Sequence, residues 1–489
     1  MDGAVAYSEV SHGARGAVVC HRPPFISFSG ERGGHPLTQR RRTGGPSTPR
    51  QAAVDILTAI EERAAFAGLA LDAHLERIQL PAPARGYVTE IVYGVLRWRG
   101  TLDWMLAQCS HRPIEELTPA VRNILRLAAY EVCFLDSVPA PVACHAAVEL
   151  AKARFHPGVA SFVNGVCRQL SRRAWSGDWP WPDVDEDPVK ALAVRTSHPE
   201  WLVARWVARF GVQEARALCE ANNAAPSVHV RANILKTTRE ALAEALAGLG
   251  AQVKPGLWAP QALHVRGMGA VRDNPAFQSG LFTVQDEGAQ LVAHVLDPQP
   301  GERVIDLCAA PGGKTTHLAE LMGNEGQVVA VDVHAGKLGL VQRAAARLGI
   351  TIVTTVEGDG REMPGRLAPA DRVLVDAPCS GLGVLRRRPD LRWRKRPEEL
   401  TALAALQGEL LAAAAELTRP GGTLVYSTCT TEPEETTEVV EAFLRSRADF
   451  VPEVLPLREF VPDRFGGYLY PHRHGTDGFF IARLRKINT

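Results

Sequence analysis

The chain has 489 residues, of which 46% are hydrophobic and 22% are charged. That length predicts about three domains, and the composition is typical of a soluble globular protein and excludes a chain that is disordered throughout. The formal net charge is only +1. A surface that binds a polyanion therefore has to be local rather than a property of the whole molecule.

The nine cysteines form no CxxC pair and their number is odd, which argues against a zinc ribbon and against a framework of disulfides. A reduced compartment fits this usage best. No apolar run approaches the roughly 18 residues that span a bilayer, and charged residues interrupt the N-terminus, so no signal-peptide core is present. We expect a cytoplasmic monomer with no metal and no membrane partner.

Residues 1–50 are rich in Gly, Pro, Ser and Arg, and Arg40-Arg41-Arg42 stands near their end. No apolar periodicity runs through them, so we predict a disordered basic tail. The tail is either an arm that contacts RNA or the product of an over-extended start site, and no function rests on it.

Residues 51–173 change to helical periodicity, as in Ile56, Leu57 and Ile60, and predict an all-helical domain with helices that include 119–134 and 141–153. Its arginines form either a solvated face or a patch that tracks phosphates. Residues 174–195 are acidic and rich in Pro and Trp, which predicts a linker that packs onto a neighbour. Residues 196–280 predict a small α+β subdomain, with helical periodicity over 200–222 and a strand at Val228–Asn233.

From residue 281 to 489, strand and helix patterns alternate. Such alternation predicts an α/β, Rossmann-like domain with a doubly wound, mainly parallel sheet. The predicted strands are 303–307, 327–331, 352–356, 372–375, 423–426 and 478–484, and the predicted helices are 314–322, 335–348, 398–417 and 433–446.

Two cysteines follow predicted strands and are expected at one edge of this sheet. Cys379 lies in Asp376-Ala377-Pro378-Cys379-Ser380-Gly381, and Cys429 lies in Ser427-Thr428-Cys429-Thr430. Reacting groups gather at the carboxyl ends of parallel strands, although a free cysteine is more often a buried hydrophobe. Two thiols beside the carboxylate of Asp376 favour nucleophilic chemistry over packing.

A turn of small residues, Cys308-Ala309-Ala310-Pro311-Gly312-Gly313-Lys314, joins the first of these strands to a helix. Its ending resembles a P-loop, but Cys308 stands where that motif needs its first glycine, so an NTPase is disfavoured. A tight turn that lets a bulky cofactor approach the backbone is the better interpretation. Asp332 and Asp359 follow the next two strands and can reach ribose hydroxyls and an adenine amino group, although a lone acid there is often only a helix N-cap.

A basic run follows the Cys379 motif. Arg386–Arg396 holds seven basic residues against one acid. Such a run is usually a solvated face, but its position predicts a phosphate clamp, in which Trp393 can stack on a base.

Together these motifs resemble the RNA cytosine-5 methyltransferases that depend on S-adenosylmethionine. The resemblance covers about residues 196–489 and includes Val284-Gln285-Asp286-Glu287 and Asp477-Gly478-Phe479-Phe480-Ile481-Ala482. The run from Ala84 to Arg97 resembles a NusB-like RNA-binding domain. The combination resembles the bacterial RsmB subfamily, also called Sun or Fmu, which modifies small-subunit ribosomal RNA. One departure is Arg388, where relatives often have a histidine before the proline.

The resemblance implies S-adenosylmethionine as cofactor and ribosomal RNA as partner, with a single-stranded or flipped cytosine. It implies that Cys429 is the nucleophile and that Cys379 assists product release. Asp376 is assigned to the cytosine and the cofactor, and Lys314 to the substrate or the catalytic carboxylate. The cofactor site is assigned to residues 308–314, Asp332 and Asp359. RNA contacts are assigned to the small subdomain and the basic run, namely Arg231, Arg386, Arg387, Arg388, Arg392 and Trp393.

Three alternatives stay open. A DNA cytosine-5 methyltransferase uses a Pro-Cys nucleophile and lacks the second cysteine, so Cys429 argues against it. A non-catalytic RNA-binding assembly factor is expected to lose its nucleophile or its cofactor acids, and these are all present. Transfer RNA is the second candidate substrate.

Overall fold

The structure is a computed structural model, and it describes residues 48–63, 65–78 and 80–487. Most of the predicted disordered tail, residues 1–47, therefore lies outside the described residues. At the end of that tail the prediction is wrong, because the first helix already begins at Pro49.

The N-terminal part is a bundle of helices, as predicted. Its elements are α1 (Pro49–Arg63), α2 (Ala67–Arg77), α3 (Ala82–Ala107), α4 (Pro119–Phe134), α5 (Ala140–Arg154) and α6 (Pro157–Ser176), with a 3₁₀ turn at Ile114–Glu116. The helices share one apolar core in which Ile56, Val92 and Leu125 are buried. Prolines stand in the first turns of α3 to α6, where a missing N–H costs no hydrogen bond.

Three more helices and a small sheet follow. The elements are α7 (Pro188–Thr196), α8 (Glu200–Phe210), α9 (Val212–Asn223), β1 (Val228–Ala232), α10 (Arg239–Gly248), β2 (Gln252–Pro255), β3 (Ala262–Arg266), α11 (Pro275–Gln278) and β4 (Phe282–Val284), with a 3₁₀ turn at Val271–Asp273. The strands form an antiparallel sheet in the order β2-β3-β1-β4.

Two details of this middle part differ from the prediction. The predicted linker contains helix α7, whose N-terminus is capped by Asp187. The predicted helical stretch 200–222 is two helices, since Gly211 adopts a φ of 80° between them. The linker also packs onto the bundle, because Trp181 stacks on Trp104 with ring centres 4.5 Å apart.

The C-terminal domain is built on a nine-stranded sheet in the order β11-β12-β13-β9-β8-β5-β6-β7, with β10 paired to β13. Its strands are β5 (Arg303–Asp306), β6 (Gln327–Asp332), β7 (Val353–Glu357), β8 (Ala370–Asp376), β9 (Thr418–Thr428), β10 (Phe450–Glu453), β11 (Val461–Pro462), β12 (Gly467–Leu469) and β13 (Phe479–Lys486). Its helices are α12 (Glu287–Leu296), α13 (Gly313–Leu321), α14 (Ala335–Leu348), α15 (Leu391–Arg394), α16 (Pro397–Leu417), α17 (Thr437–Ser446) and α18 (Pro471–His474).

Strands β5 to β9 are parallel, and β13 runs antiparallel beside β9. The chain builds outward from β5 through β6 and β7, and then returns to β8 and β9 on the other side. This confirms the predicted doubly wound sheet, whose order reverses beside β5, where ligands bind in such folds. The central strands are rich in Val and Ile because helices cover both faces.

Helix α16 is the one helix among the described residues that is long and apolar enough to cross a membrane by length and composition. This corrects the expectation that no apolar run in the chain approaches the length of a membrane span. Leu410, Leu411 and Ala414 of this helix are buried in a core against the sheet, while Glu409 and Glu416 are exposed. It is therefore packed as a core helix of the C-terminal domain.

Candidate active site

The two cysteine motifs meet at the carboxyl edge of the C-terminal sheet. The Sγ atoms of Cys379 and Cys429 lie 3.3 Å apart. One cysteine follows β8 and the other follows β9, and these strands are parallel neighbours with Asp376 beside Ser427. The predicted meeting of the two thiols at one edge is confirmed.

Backbone contacts hold the two cysteine loops together. The N–H of Gly383 donates to the carbonyl of Cys429 at 2.9 Å, and the N–H of Gly478 donates to the carbonyl of Gly383 at 2.8 Å. A side chain at Gly383 would collide with the carbonyl of Gly478. Only glycine permits this close approach, so the two loops and the start of the last strand are joined as one unit.

An ion pair lies beside the thiols. Lys314 Nζ is 2.6 Å from Asp376 Oδ2, and the hydroxyl of Ser427 donates to Asp376 Oδ1 at 2.9 Å. Both oxygens of Asp376 are therefore held. Lys314 Nζ also lies 5.2 Å from the centre of the Phe479 ring, within the range of a cation–π interaction.

The two thiols differ in acidity. The hydrogen bond with Cys379 lowers the pKa of Cys429, and the charges of Lys314 and Arg388 also lower it, against burial and Asp376. The same hydrogen bond, with burial, raises the pKa of Cys379 well above its ordinary value. Since the thiolate is the nucleophilic form, Cys429 is the better nucleophile of the pair.

The turn 308–314 is tight and runs close to α14. Gly312 has a φ of 101°, and a Cβ there would lie 3.0 Å from the Cα of Val341, so the position requires glycine. The N–H of Ala310 points at Asp332 Oδ2, 3.3 Å away. The structure thus brings the predicted turn and the predicted strand-end acid together.

A buried carboxyl group stands at the base of this turn. Asp306 Oδ2 accepts a hydrogen bond from the hydroxyl of Thr315 at 2.7 Å, but Oδ1 is buried and has no partner within the described ranges. Burial raises the pKa of Asp306 to about 7. Burial and the charges of four nearby carboxylates raise the pKa of Cys308. An acidic cradle with an unpartnered carboxyl oxygen suits a cationic ligand, so these residues fit the sulfonium cofactor that the resemblance implies.

Asp306 was missing from the predicted site residues. The available signal was its position at the end of a predicted strand, the same signal that singled out Asp332.

Asp359 is engaged by a neighbour, because it accepts the N–H of Arg361 at 3.0 Å and pairs with the guanidinium of Arg361 at 2.6 Å. Its contact with adenine stays a prediction, and that contact would compete with Arg361.

Two predicted RNA contacts are wrong because the side chains are buried. Arg231 and Arg392 are both 0% exposed. Arg231 pairs with Glu320 at 2.8 Å and donates to the carbonyl of Gly313 at 2.7 Å. Arg392 donates to the carbonyl of Ser197 at 2.9 Å. Both guanidinium groups satisfy internal acceptors instead of facing solvent.

Arg386 and Arg387 are also occupied by the protein itself. Arg386 is 8% exposed and donates to the carbonyl of Gly475 at 2.7 Å. Arg387 bridges Asp286 at 2.7 Å and Asp477 at 2.9 Å. The assignment of Arg386 to an RNA clamp is therefore wrong, because its guanidinium is buried against backbone carbonyls. The contact of Arg387 with RNA stays a prediction, and it would compete with the carboxylates of Asp286 and Asp477.

Trp393 joins the C-terminal domain to the N-terminal bundle. Its Nε1 donates to the carbonyl of Leu96 at 2.9 Å, and its ring lies against Gly100, where a Cβ would be only 2.6 Å away. It is packed rather than free to stack on a base, so that prediction is wrong too. Arg388 is exposed and stays available for RNA.

One group of side chains has the composition of a metal site, but the atoms of its carboxylate are already paired, while His229 Nε2 is buried without a hydrogen-bond partner among the described residues. His229, His264 and Glu287 offer ligand atoms within 4.8 Å of one another. The Glu287 carboxylate accepts from the N–H groups of Trp258 and Ala259 and lies 2.8 Å from His264 Nε2. The two imidazole rings stack at 4.0 Å. The group joins the small sheet to α12, and we propose no ion for it.

Three family models match the chain. The model described as 16S rRNA methyltransferase RsmB/F matches residues 293–485, that of the NusB family matches residues 47–172, and that of an RsmF/B-like ferredoxin-like domain matches residues 198–272.

Individual proteins are similar over most of their length. A probable ribosomal RNA small subunit methyltransferase B of Bacillus subtilis is 40% identical over 446 residues, which are 89% of this chain and 98% of that protein. Its counterpart in Synechocystis is 42% identical over 448 residues, with 89% and 99% covered. The crystal structure of PH0851 superposes with a TM-score of 0.78 at 30% identity, over 91% of this chain and 100% of that one. The crystal structure of NSun6 from Pyrococcus horikoshii with SFG has a TM-score of 0.54 at 26% identity, over 60% and 99%.

Proposed function

Because the chain belongs to the RsmB/F family of ribosomal RNA small subunit methyltransferases, with a NusB-like domain ahead of a class I methyltransferase domain, we propose that it methylates C5 of a cytosine in 16S ribosomal RNA. S-Adenosylmethionine is the methyl donor, and Cys429 forms a covalent bond to C6 of the base. The observation that carries this proposal is the pair of thiols 3.3 Å apart. The lowered pKa of Cys429 favours its thiolate form, and the raised pKa of Cys379 favours its thiol form.

The need for a thiolate follows from the chemistry of the base. C5 of cytosine is a poor nucleophile, and addition of the Cys429 thiolate to C6 makes C5 carbanion-like. Asp376, fixed by Lys314 and Ser427 beside the thiols, is positioned to hydrogen-bond the N3 and N4 edge of the cytosine. That contact favours the protonated ring while C6 is attacked.

S-Adenosylmethionine supplies an electrophilic methyl group when it is bound. The turn 308–313 lets the cofactor approach the protein backbone closely, and Asp332 offers a carboxylate to the ribose hydroxyls of the cofactor. The unpartnered Oδ1 of Asp306 suits a positively charged ligand. The relative NSun6 was solved with SFG, an analogue of S-adenosylmethionine, and this supports the assignment.

Release of the product needs a base. The C5 proton leaves to that base, the electrons of the C–H bond restore the C5–C6 double bond, and the bond between C6 and Cys429 breaks. We assign Cys379 to this step, as the base or through one. Once Cys429 is bonded to carbon it carries no charge, so two of the causes that raise the pKa of Cys379, its hydrogen bond with the Cys429 thiolate and the repulsion by that charge, are removed.

RNA is bound by the NusB-like domain together with Arg388. Arg388 is exposed, and its charge acts on Cys429, so it lies near the thiols where a phosphate beside the target base can pass. The cytosine has to be single-stranded or flipped to expose its ring carbons. The reaction takes place in the cytoplasm on a monomeric enzyme.

Bisulfite mapping of 5-methylcytidine tests the proposal. Ribosomal and transfer RNA are compared from cells that carry the unmodified protein, Cys429→Ala or Cys379→Ala. We expect loss of one mark in 16S ribosomal RNA with Cys429→Ala, and a stalled covalent protein–RNA adduct with Cys379→Ala. Cys133→Ala, a change in the N-terminal bundle, is the control and should leave the mark in place.

Each other outcome selects a different function. Loss of a mark in transfer RNA alone would identify transfer RNA as the substrate. Persistence of every mark in Cys429→Ala would refute the nucleophile and favour a non-catalytic role in ribosome assembly.

A further inference from the structure

The peptide groups on either side of Cys379 are held by two buried side chains from other elements. Gln407 of α16 donates from Nε2 to the carbonyl of Pro378 at 3.0 Å. Glu435, at the end of the 3₁₀ turn Pro433–Glu435, accepts the N–H of Ser380 at 2.7 Å through Oε1. Both side chains are 0% exposed. We refer to Gln407 and Glu435 as the bracket.

The bracket is tied together and linked to the second cysteine loop. Gln407 Nε2 also donates to Glu435 Oε1 at 3.1 Å. The hydroxyl of Ser380 donates to Oγ1 of Thr430 at 3.0 Å, and Thr430 directly follows Cys429. Hydrogen bonds therefore run from the bracket through the first cysteine loop to the residue after Cys429.

Glu435 also puts a carboxylate close to Cys379. Its Oε2 is buried and finds no hydrogen-bond partner in the part of the chain that the structure describes. The titratable groups that face it are Cys379 from the first cysteine loop, Tyr426 from β9 and Glu432, the residue before the 3₁₀ turn. The charge of Glu435 contributes to the raised pKa of Cys379, after the hydrogen bond with Cys429, burial and the charge of Cys429.

We propose that Glu435 and Gln407 are positioning residues that decide which of the two thiols attacks the base. The bracket holds the Cys379 thiol against Cys429 as a hydrogen-bond donor, and the Glu435 carboxylate disfavours a negative charge on Cys379. Cys429 then ionises first, and Cys379 is reserved for product release. This inference rests on the proposed function, because it divides one reaction between the two cysteines.

The ionisation of each thiol can be measured without RNA or cofactor. The full-length protein is pulsed with iodoacetamide between about pH 6 and about pH 10, and mass spectrometry quantifies the alkylation rate of each cysteine, since only the thiolate reacts. Because this rate is proportional to the thiolate fraction below the midpoint, a shift in the midpoint of a thiol that ionises above this range is obtained from the change in its rate at a fixed pH, about tenfold for each pH unit. In the unmodified protein, Cys429 should react at lower pH than Cys379. In Glu435→Gln, the midpoint for Cys379 should fall by about one pH unit, because a neighbouring like charge is removed.

Glu434→Gln is the matched control. It removes the same charge from the same turn, but Glu434 pairs with Arg205 at 2.6 Å, and both midpoints should stay unchanged. Glu435→Asp keeps a carboxylate and should restore most of the higher Cys379 midpoint. An unchanged Cys379 midpoint in Glu435→Gln, or an equal shift in Glu434→Gln, would overturn the proposal.

Gln407→Met tests the bracket from α16 and leaves Glu435 in place, should Glu435→Gln fail to fold. It removes both hydrogen bonds that Gln407 donates, so Cys379 is held less firmly and the midpoint for Cys429 should rise. The kcat should fall about tenfold while the KM for RNA is unchanged. Unaltered midpoints in folded Gln407→Met protein would refute the bracket. The proposed function fails separately, through methylation that persists in Cys429→Ala.

Discussion

Lys314 and Asp376 lie beside the two thiols at the edge of the sheet, whereas Arg392, a little further along the chain than Cys379, lies inside the protein. Both regions carry charges that the sequence marks as functional. Lys314 keeps its charge next to the reacting groups. Arg392 instead satisfies backbone carbonyls, and burial lowers its pKa to about 9.

The difference shows where charge can be interpreted from sequence. A residue at the end of a parallel strand is placed by topology, because every such end meets at one edge of the sheet. A basic run in a loop has no such constraint. Its side chains turn inward where a neighbouring element has backbone carbonyls that need hydrogen-bond donors. Arg392, for example, donates to the carbonyl of Ser197.

Lys314→Met should produce the largest effect. Lys314 lowers the pKa of Cys429 and fixes Asp376, so its loss should slow methyl transfer on the order of 10²- to 10³-fold. The pH–rate profile should also move to higher pH, because the nucleophile ionises later. Initial rates with a labelled methyl donor check this, and Lys314→Arg, which keeps the charge, should recover part of the rate. A profile that does not move would show that Lys314 acts only on Asp376.

Arg392→Met should affect stability rather than RNA binding. Its loss leaves buried carbonyls without donors, and we expect the free energy of unfolding to fall by about 2 kcal/mol. Chemical denaturation and filter binding at constant salt measure the two quantities. Arg464→Met removes an exposed guanidinium and should change stability by less than about 0.5 kcal/mol. If Arg392→Met binds RNA more weakly while its stability is unchanged, the prediction that Arg392 contacts phosphates would be supported again.

Asp306 should make cofactor binding depend on pH. With a pKa of about 7, its carboxyl group is largely neutral below that pH, and a cationic ligand prefers the ionised form. Affinity for S-adenosylmethionine should therefore rise about tenfold between about pH 6 and about pH 8, as titration calorimetry can measure. Asp306→Asn should remove this dependence. An affinity that is equally steep in pH with Asp306→Asn would assign the proton to another group.

The raised pKa of Asp306 also predicts how the free energy of unfolding depends on pH. The folded state holds the Asp306 proton more tightly than the unfolded state, whose pKa is about 3.9. The contribution to stability is therefore complete below about pH 4 and is lost as pH rises through about 7. Denaturation curves across this range should show a flatter pH dependence for Asp306→Asn.

Arg388→Ala should have the smallest effect. Its side chain is exposed, so stability should change by less than about 0.5 kcal/mol. If Arg388 contacts one phosphate, RNA affinity should fall a few-fold and the slope of log affinity against log salt should decrease by about one. Arg445→Ala on the surface of α17 is the control. An unchanged slope would exclude Arg388 from the predicted clamp.

Much of the fold could be predicted from periodicity. The helix predicted over 335–348 spans Ala335–Leu348, and the strand predicted over 372–375 lies within Ala370–Asp376. Repeating apolar positions carry this information because they reflect which face is buried. The break at Gly211 and the helix α7 were missed, because one glycine or one Asp cap decides each of them.

The candidate site was predictable only in part. Cys379, Cys429, Asp376 and Lys314 stand in strand-end or turn motifs, and the structure brings them together. Glu435 and Gln407 follow no motif, because their contacts reach the Cys379 loop from a 3₁₀ turn and from a helix core. A residue that acts by hydrogen-bonding the backbone of another segment has no recognisable motif in the sequence around it.

The sequence by itself determined the alternation of strands and helices, the glycine turn at 308–314 and the two cysteines after strands at one edge of the sheet, since short-range periodicity and chain topology dictate them. Only the tertiary structure decided which arginines are buried and which thiol is the more acidic. Burial and pKa depend on atoms that are distant in sequence and adjacent in space, such as Lys314 beside Cys429 and Arg392 beside Ser197. Electrostatic energies vary steeply with distance and solvent exposure, and neither can be obtained from the order of residues.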